Sequence, residues 1–62
     1  MKKLLKDTDL PTDLVGDLTS IGFQYVDQLY EALIKDPYLM VEYLIQFNLD
    51  YEDLMKQVMT YL

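Results

Sequence analysis

Residues 37–47 read PYLMVEYLIQF, a helix-length run in which only Glu42 and Gln46 are strongly polar. Four-residue spacing puts those two on one narrow stripe. A helix that is apolar nearly all round has to be covered nearly all round. A 62-residue chain has little else with which to cover it. Either the remaining helices wrap this segment or another chain completes the covering. This constraint governs the expected fold and the expected function.

A chain of this length forms one domain, and its core rarely nets more than ~3–5 kcal/mol. Small domains commonly add a disulfide or a metal. With no cysteine and no histidine, a disulfide and the usual zinc site are excluded. Dense packing or association remains, and 52% apolar residues, including six Tyr and four Met, suit either. Lys2, Lys3 and Lys6 crowd the start, leaving eleven acids against Lys35 and Lys56 in the rest, a balance of −9. Such a body repels nucleic acid and anionic membranes, and a positively charged or mixed protein surface is its natural partner. The opening MKKLLK is too short in apolar run for a signal peptide, and no segment reaches the ~20 apolar residues of a membrane span. A cytoplasmic protein of a bacterium or phage is expected.

Local signals predict four short helices, over about 10–21, 25–35, 37–47 and 51–62, preceded by a short basic arm at 1–8. Asp9 is the expected N-cap of the first, with Pro11 in its first turn. Leu14, Val15, Leu18 and Ile21 form its apolar face. Gly22 suits a left-handed C′ position, with Phe23 folding back on Leu18 as in a Schellman ending. Gly16 weakens this helix, or marks a close helix crossing. The second helix faces inward with Tyr25, Val26, Leu29, Tyr30, Leu33 and Ile34. Asp27, Gln28, Glu31 and Lys35 face water, with Glu31 and Lys35 paired. Asp36 and Pro37 end it and cap the third helix at once, as N-cap and N1. Asn48 takes the next C′ position, with Leu49 folding back on Leu44. Asp50 caps the fourth helix, with Asp53 in a variant of the capping box and Glu52 paired to Lys56. Tyr51, Leu54, Met55, Val58, Met59 and Leu62 are its stripe. The corners are too tight for a regular up-down bundle. The expected fold is therefore an all-α, compact orthogonal array over residues 9–62, a single domain with the third helix central.

Ile21-Gly22-Phe23 between two helices resembles the apolar-Gly-apolar hairpin of helix-hairpin-helix domains and of the similar C-terminal domain of the RNA polymerase alpha chain. The resemblance covers about residues 14–33 and rests on one glycine. It implies a similar helical fold and, as the weakest functional alternative, nucleic-acid binding. The second hairpin glycine and the basic residues that approach phosphate are absent here. A helix C-cap explains the same three residues more simply.

Catalysis is not expected. There is no histidine to serve a nucleophile, and paired carboxylates need a cleft that a domain this small seldom holds. No cofactor or metal is expected either. Asp50, Glu52 and Asp53 lack the twelve-residue span and central glycine of a calcium loop, and read as a cap plus first-turn acids. Asp9, Asp13 and Asp17 lie at i, i+4 and i+8, a ladder that either imitates a row of phosphates or solvates one face.

The expected function is a small acidic non-enzymatic protein-protein interaction module: a regulator, inhibitor or adaptor, with homodimerisation as one mode. The alternative is an acidic nucleic-acid mimic that inhibits a DNA- or RNA-binding protein. Tyr and Met favour interface cores. The candidate contact residues are Tyr38, Tyr43, Phe47 and Tyr61, with Asp13 and Asp17 tuning the encounter.

Overall fold

The computed structural model describes residues 2–62. A 3-10 turn at Leu5–Asp7 precedes α1 (Thr12–Ser20), α2 (Val26–Lys35), α3 (Pro37–Ile45) and α4 (Tyr51–Thr60). The fold is all-α, as the sequence predicts, and it spans 28 × 19 × 19 Å.

Most helix ends follow from single residues. Gly22 adopts φ +114°, which lets the Phe23 N–H reach the Leu18 carbonyl at 2.9 Å and the Gly22 N–H reach Thr19 at 3.2 Å. That is the Schellman pattern. Asn48, at φ +58°, repeats it, with Leu49 N–H on Leu44 at 3.1 Å and Asn48 N–H on Ile45 at 3.0 Å. Asp36 and Asp50 accept from the N–H groups of Leu39 (3.4 Å) and Asp53 (3.3 Å). At the start of α2, the Gln28 Oε1 accepts from the N–H groups of Gln24 (2.8 Å) and Tyr25 (3.0 Å), a capping role its place on the wet face hides.

Asp9 is not the cap of α1. Its N–H donates to the Tyr61 hydroxyl at 2.9 Å, and Pro11 occupies the N-cap position with ψ 134°. The proline holds Leu10 before it out of the helical region, so the helix begins after the proline. The upstream residues form a turn closed by Thr8, whose hydroxyl donates to Leu5 O at 2.6 Å and accepts from Leu10 N–H at 3.3 Å.

The basic segment is stitched to the body. Leu5 N–H donates to Gln24 O at 2.9 Å, Val26 N–H to Lys3 O at 2.8 Å, and Leu4 bridges Tyr25 antiparallel. Leu5 is wholly buried. The expected arm thus supplies a core residue, and residue 1 lies outside the described residues.

Each helix gives the core residues one turn apart: Leu14 and Leu18, Leu29 and Leu33, Met40 and Leu44, Leu54 and Val58. α2, not α3, is the most enclosed helix, with Val26, Leu29 and Leu33 wholly buried where α3 buries only Met40 and Leu44. α2, α3 and α4 pack on one another, while α1 lies with the 3-10 turn. α4 is tied to α2 by the Tyr51 hydroxyl, which donates to Leu33 O at 2.6 Å. The Leu33 carbonyl would ordinarily take the N–H four residues on, but that residue is Pro37, which has none. Ile21, Ile34, Met59 and Leu62, assigned inward by periodicity, are exposed. They sit at the edges of their stripes, or beyond the last turn, where these short helices offer no neighbour. Gly16 marks no helix crossing, because a Cβ there would meet nothing within 4 Å. Among the described residues the ion pair within 4.0 Å is Lys2–Asp27 at 3.9 Å, so the expected pairs Glu31–Lys35 and Glu52–Lys56 do not close.

Candidate functional site

Helix α3 turns Met40 and Leu44 into the core, with Tyr43 and Phe47 half-buried beside them. At ~100° per residue, Tyr38, Val41 and Ile45 then share one outer flank and Leu39 lies on the other. Glu42 and Gln46 run between the flanks. Tyr38 is 86% exposed, Ile45 65%, Leu39 60% and Val41 40%. Apart from the Glu42 and Gln46 stripe this is an apolar outer surface, and no other described residue covers it.

Beside the Leu39 flank lies an open groove of about 280 Å³. Leu18, Ile21 and Phe23 form its α1 wall, Leu39, Met40 and Tyr43 its α3 wall, and Ala32 its floor from α2. Lys35 and Asp36 border it at the corner between α2 and α3. The Schellman ending at Gly22 builds the first wall by turning Phe23 back over the end of α1. The shared cap at Asp36 builds the second by starting α3 directly after α2.

Tyr43 spans the two walls. Its hydroxyl donates to the Asp17 carboxylate of α1, and its ring meets Phe47 edge-on at 5.3 Å and 63°. Partial burial raises the Tyr43 hydroxyl well above the ordinary tyrosine range, and the hydrogen bond to Asp17 and that carboxylate's charge add to the effect. All three favour the neutral phenol. Asp13 lies one turn before Asp17 and is exposed, as are Asp36 and Glu42.

The expected contact residues therefore divide. Tyr43, Phe47 and Asp17 form one connected cluster, Asp13 extends it along α1, and Tyr38 stands on the opposite flank of α3. Tyr61 belongs elsewhere. Its hydroxyl accepts the Asp9 N–H, and Lys3 Nζ lies 5.9 Å above its ring, so it fastens the end of α4 to the loop before α1. Periodicity gave no sign of the groove. Ile21 reads as a core position, and Leu39 carries no signal apart from its place on an oily helix.

Among the described residues, no group of three or more His, Cys, Asp or Glu side chains converges to hold a metal ion. Asp50 and the acids after it serve the start of α4. No described helix is long and apolar enough to cross a membrane. Comparison with protein-family models, with curated proteins and with solved structures found no match to this chain.

Proposed function

We propose that this chain is a small non-enzymatic protein-interaction module, acting as a regulator, inhibitor or adaptor through the outer surface of α3. The observation that carries this reading is the exposure of Tyr38, Leu39, Val41 and Ile45 on one nine-residue helix. A soluble domain seldom leaves so apolar a helix face bare unless something docks there. The acidic body favours a partner of opposite charge and speeds its encounter. The nucleic-acid-mimic reading draws on Asp13 and Asp17, and Asp17 already shares its carboxylate with Tyr43. The apolar face is the stronger support.

The test uses the parent chain and a Leu39→Lys/Ile45→Lys double variant. Both positions are exposed, so the variant should fold as the parent does. Light scattering over a concentration series reads self-association, and affinity capture from the source cell reads other partners. The expected result is a stoichiometric partner, or a dimer, held by the parent and lost by the variant. A parent that stays monomeric and retains the same proteins as the variant refutes the proposal.

A further inference from the structure

The groove between α1 and α3 differs in charge from the rest of the apolar surface. Its walls are apolar, with one carboxylate at the border and others on the helices that form the walls. Asp36 borders the groove directly. Asp17 reaches it through the Tyr43 hydroxyl. Asp13 lies one turn before Asp17 on α1, and Glu42 lies three residues beyond Leu39 on α3, so each extends a wall. Lys35 is the one cation among the residues that line it.

Resting on the reading of this face as an interaction surface, we propose that the groove receives a basic amphipathic helical segment of another protein. One or two bulky apolar side chains enter between Ile21 and Leu39, and flanking Lys or Arg residues meet Asp13, Asp17, Asp36 and Glu42. At about 280 Å³ the groove falls just below the ~300–1,000 Å³ of typical small-molecule sites. It is also open along one side, which suits anchor side chains presented by a helix. A second copy of this chain is the wrong occupant on charge, since each copy carries −6. Its own basic segment is not free to reach across. Val26 N–H holds Lys3 O at 2.8 Å, Leu5 N–H donates to Gln24 O at 2.9 Å, and the Leu5 side chain is buried.

The experiment titrates the full ¹⁵N-labelled chain with three synthetic peptides of about 15 residues, long enough for helix formation on the surface. The first carries leucines at helical i, i+3, i+4, i+7 spacing on a lysine background. The second keeps the leucines and replaces every lysine with glutamate. The third has the composition of the first with the leucines scattered round the helix. The first peptide is expected to shift the amide signals of Ile21, Leu39 and Tyr43, and to bind at least about tenfold more tightly than either control. Leu39→Lys, and separately the groove-filling Ala32→Leu, should each weaken it at least about tenfold while leaving the helical circular dichroism unchanged. The inference is overturned by no binding at millimolar peptide, by equal binding of the glutamate peptide, or by equal binding of the scattered peptide. A dimer of the parent that buries the groove overturns it as well. Shifts confined to Tyr38, Val41 and Ile45, or capture in cells that Ile45→Lys abolishes and Leu39→Lys spares, would overturn the groove while leaving the interaction module standing.

Discussion

Replacing Gly16 and Gly22 with alanine, one at a time, should move the stability of this domain in opposite directions. The chemical change is the same, and at neither site would the new Cβ meet an atom within 4 Å. Packing therefore cancels, and the backbone decides. Gly16 lies inside α1, where alanine restricts the unfolded chain and suits the helix, a gain of about 0.5–1 kcal/mol. Gly22 holds φ +114°, which L side chains rarely adopt, and forcing alanine there costs about 1–3 kcal/mol. For a domain of this size each kcal/mol moves Tm by about 4–8 °C. The two variants should then melt at least ~6 °C apart, Gly16→Ala above the parent and Gly22→Ala below it. Thermal and urea melts followed by circular dichroism at the helical band measure this directly. A Gly16→Ala variant less stable than the parent would mean that a close contact exists at that position. A Gly22→Ala variant as stable as the parent would mean that the turn closes equally well with φ negative. Either result refutes this account of α1. Since Ile21 and Phe23 flank Gly22, its alanine variant should also disturb the groove signals, and Gly16→Ala should not.

Three further outcomes follow from the geometry. Leu5→Ala should cost about 2–5 kcal/mol, enough to leave much of the population unfolded, because the side chain is wholly buried; a loss below ~0.5 kcal/mol in urea melts would return the segment to the status of a loose arm. Asp36→Ala should cost about 0.5–2 kcal/mol, and Asp36→Asn much less, since asparagine caps equally well; equal losses would show that charge rather than capping matters there. Tyr43 ionises at higher pH when folded than when unfolded, so the folded state holds the extra proton in alkali. The stability this contributes is complete below the ordinary tyrosine pKa of about 10 and drains away as pH rises above it. The drop in urea midpoint between pH 9 and pH 11 should shrink in Tyr43→Phe, and an unchanged drop would refute the raised ionisation of the Tyr43 hydroxyl.

The helix boundaries are legible in the sequence wherever one residue type answers a local backbone need. Asp36, Asp50, Gly22 and Asn48 each satisfy an orphan donor or supply a left-handed turn, and each does so where its type suggests. α1 resists because Asp9 and Pro11 both signal a helix start, and the proline's restraint on Leu10 decides between them. That α2 rather than α3 is the most enclosed helix is not legible. The apolar content of α3 says how much covering it needs, not whether the chain supplies it. Tyr43, Phe47 and Asp17 stand out as candidates in the sequence, but only the fold joins Tyr43 to Asp17. Tyr61 stands out for lying off its apolar stripe, and it lies there because its hydroxyl serves Asp9, 52 residues away. No local pattern encodes a bond of that span.

Asp36 serves the corner with its N–H, its carbonyl and its side chain. Its N–H donates to Ala32 O at 3.1 Å, its carbonyl accepts from Met40 N–H at 3.1 Å, and its side chain holds Leu39 N–H at 3.4 Å. With Pro37 fixing the next φ, these bonds constrain the corner between α2 and α3. That corner sets the α3 wall of the groove, and the Tyr43–Asp17 hydrogen bond ties it to the α1 wall opposite.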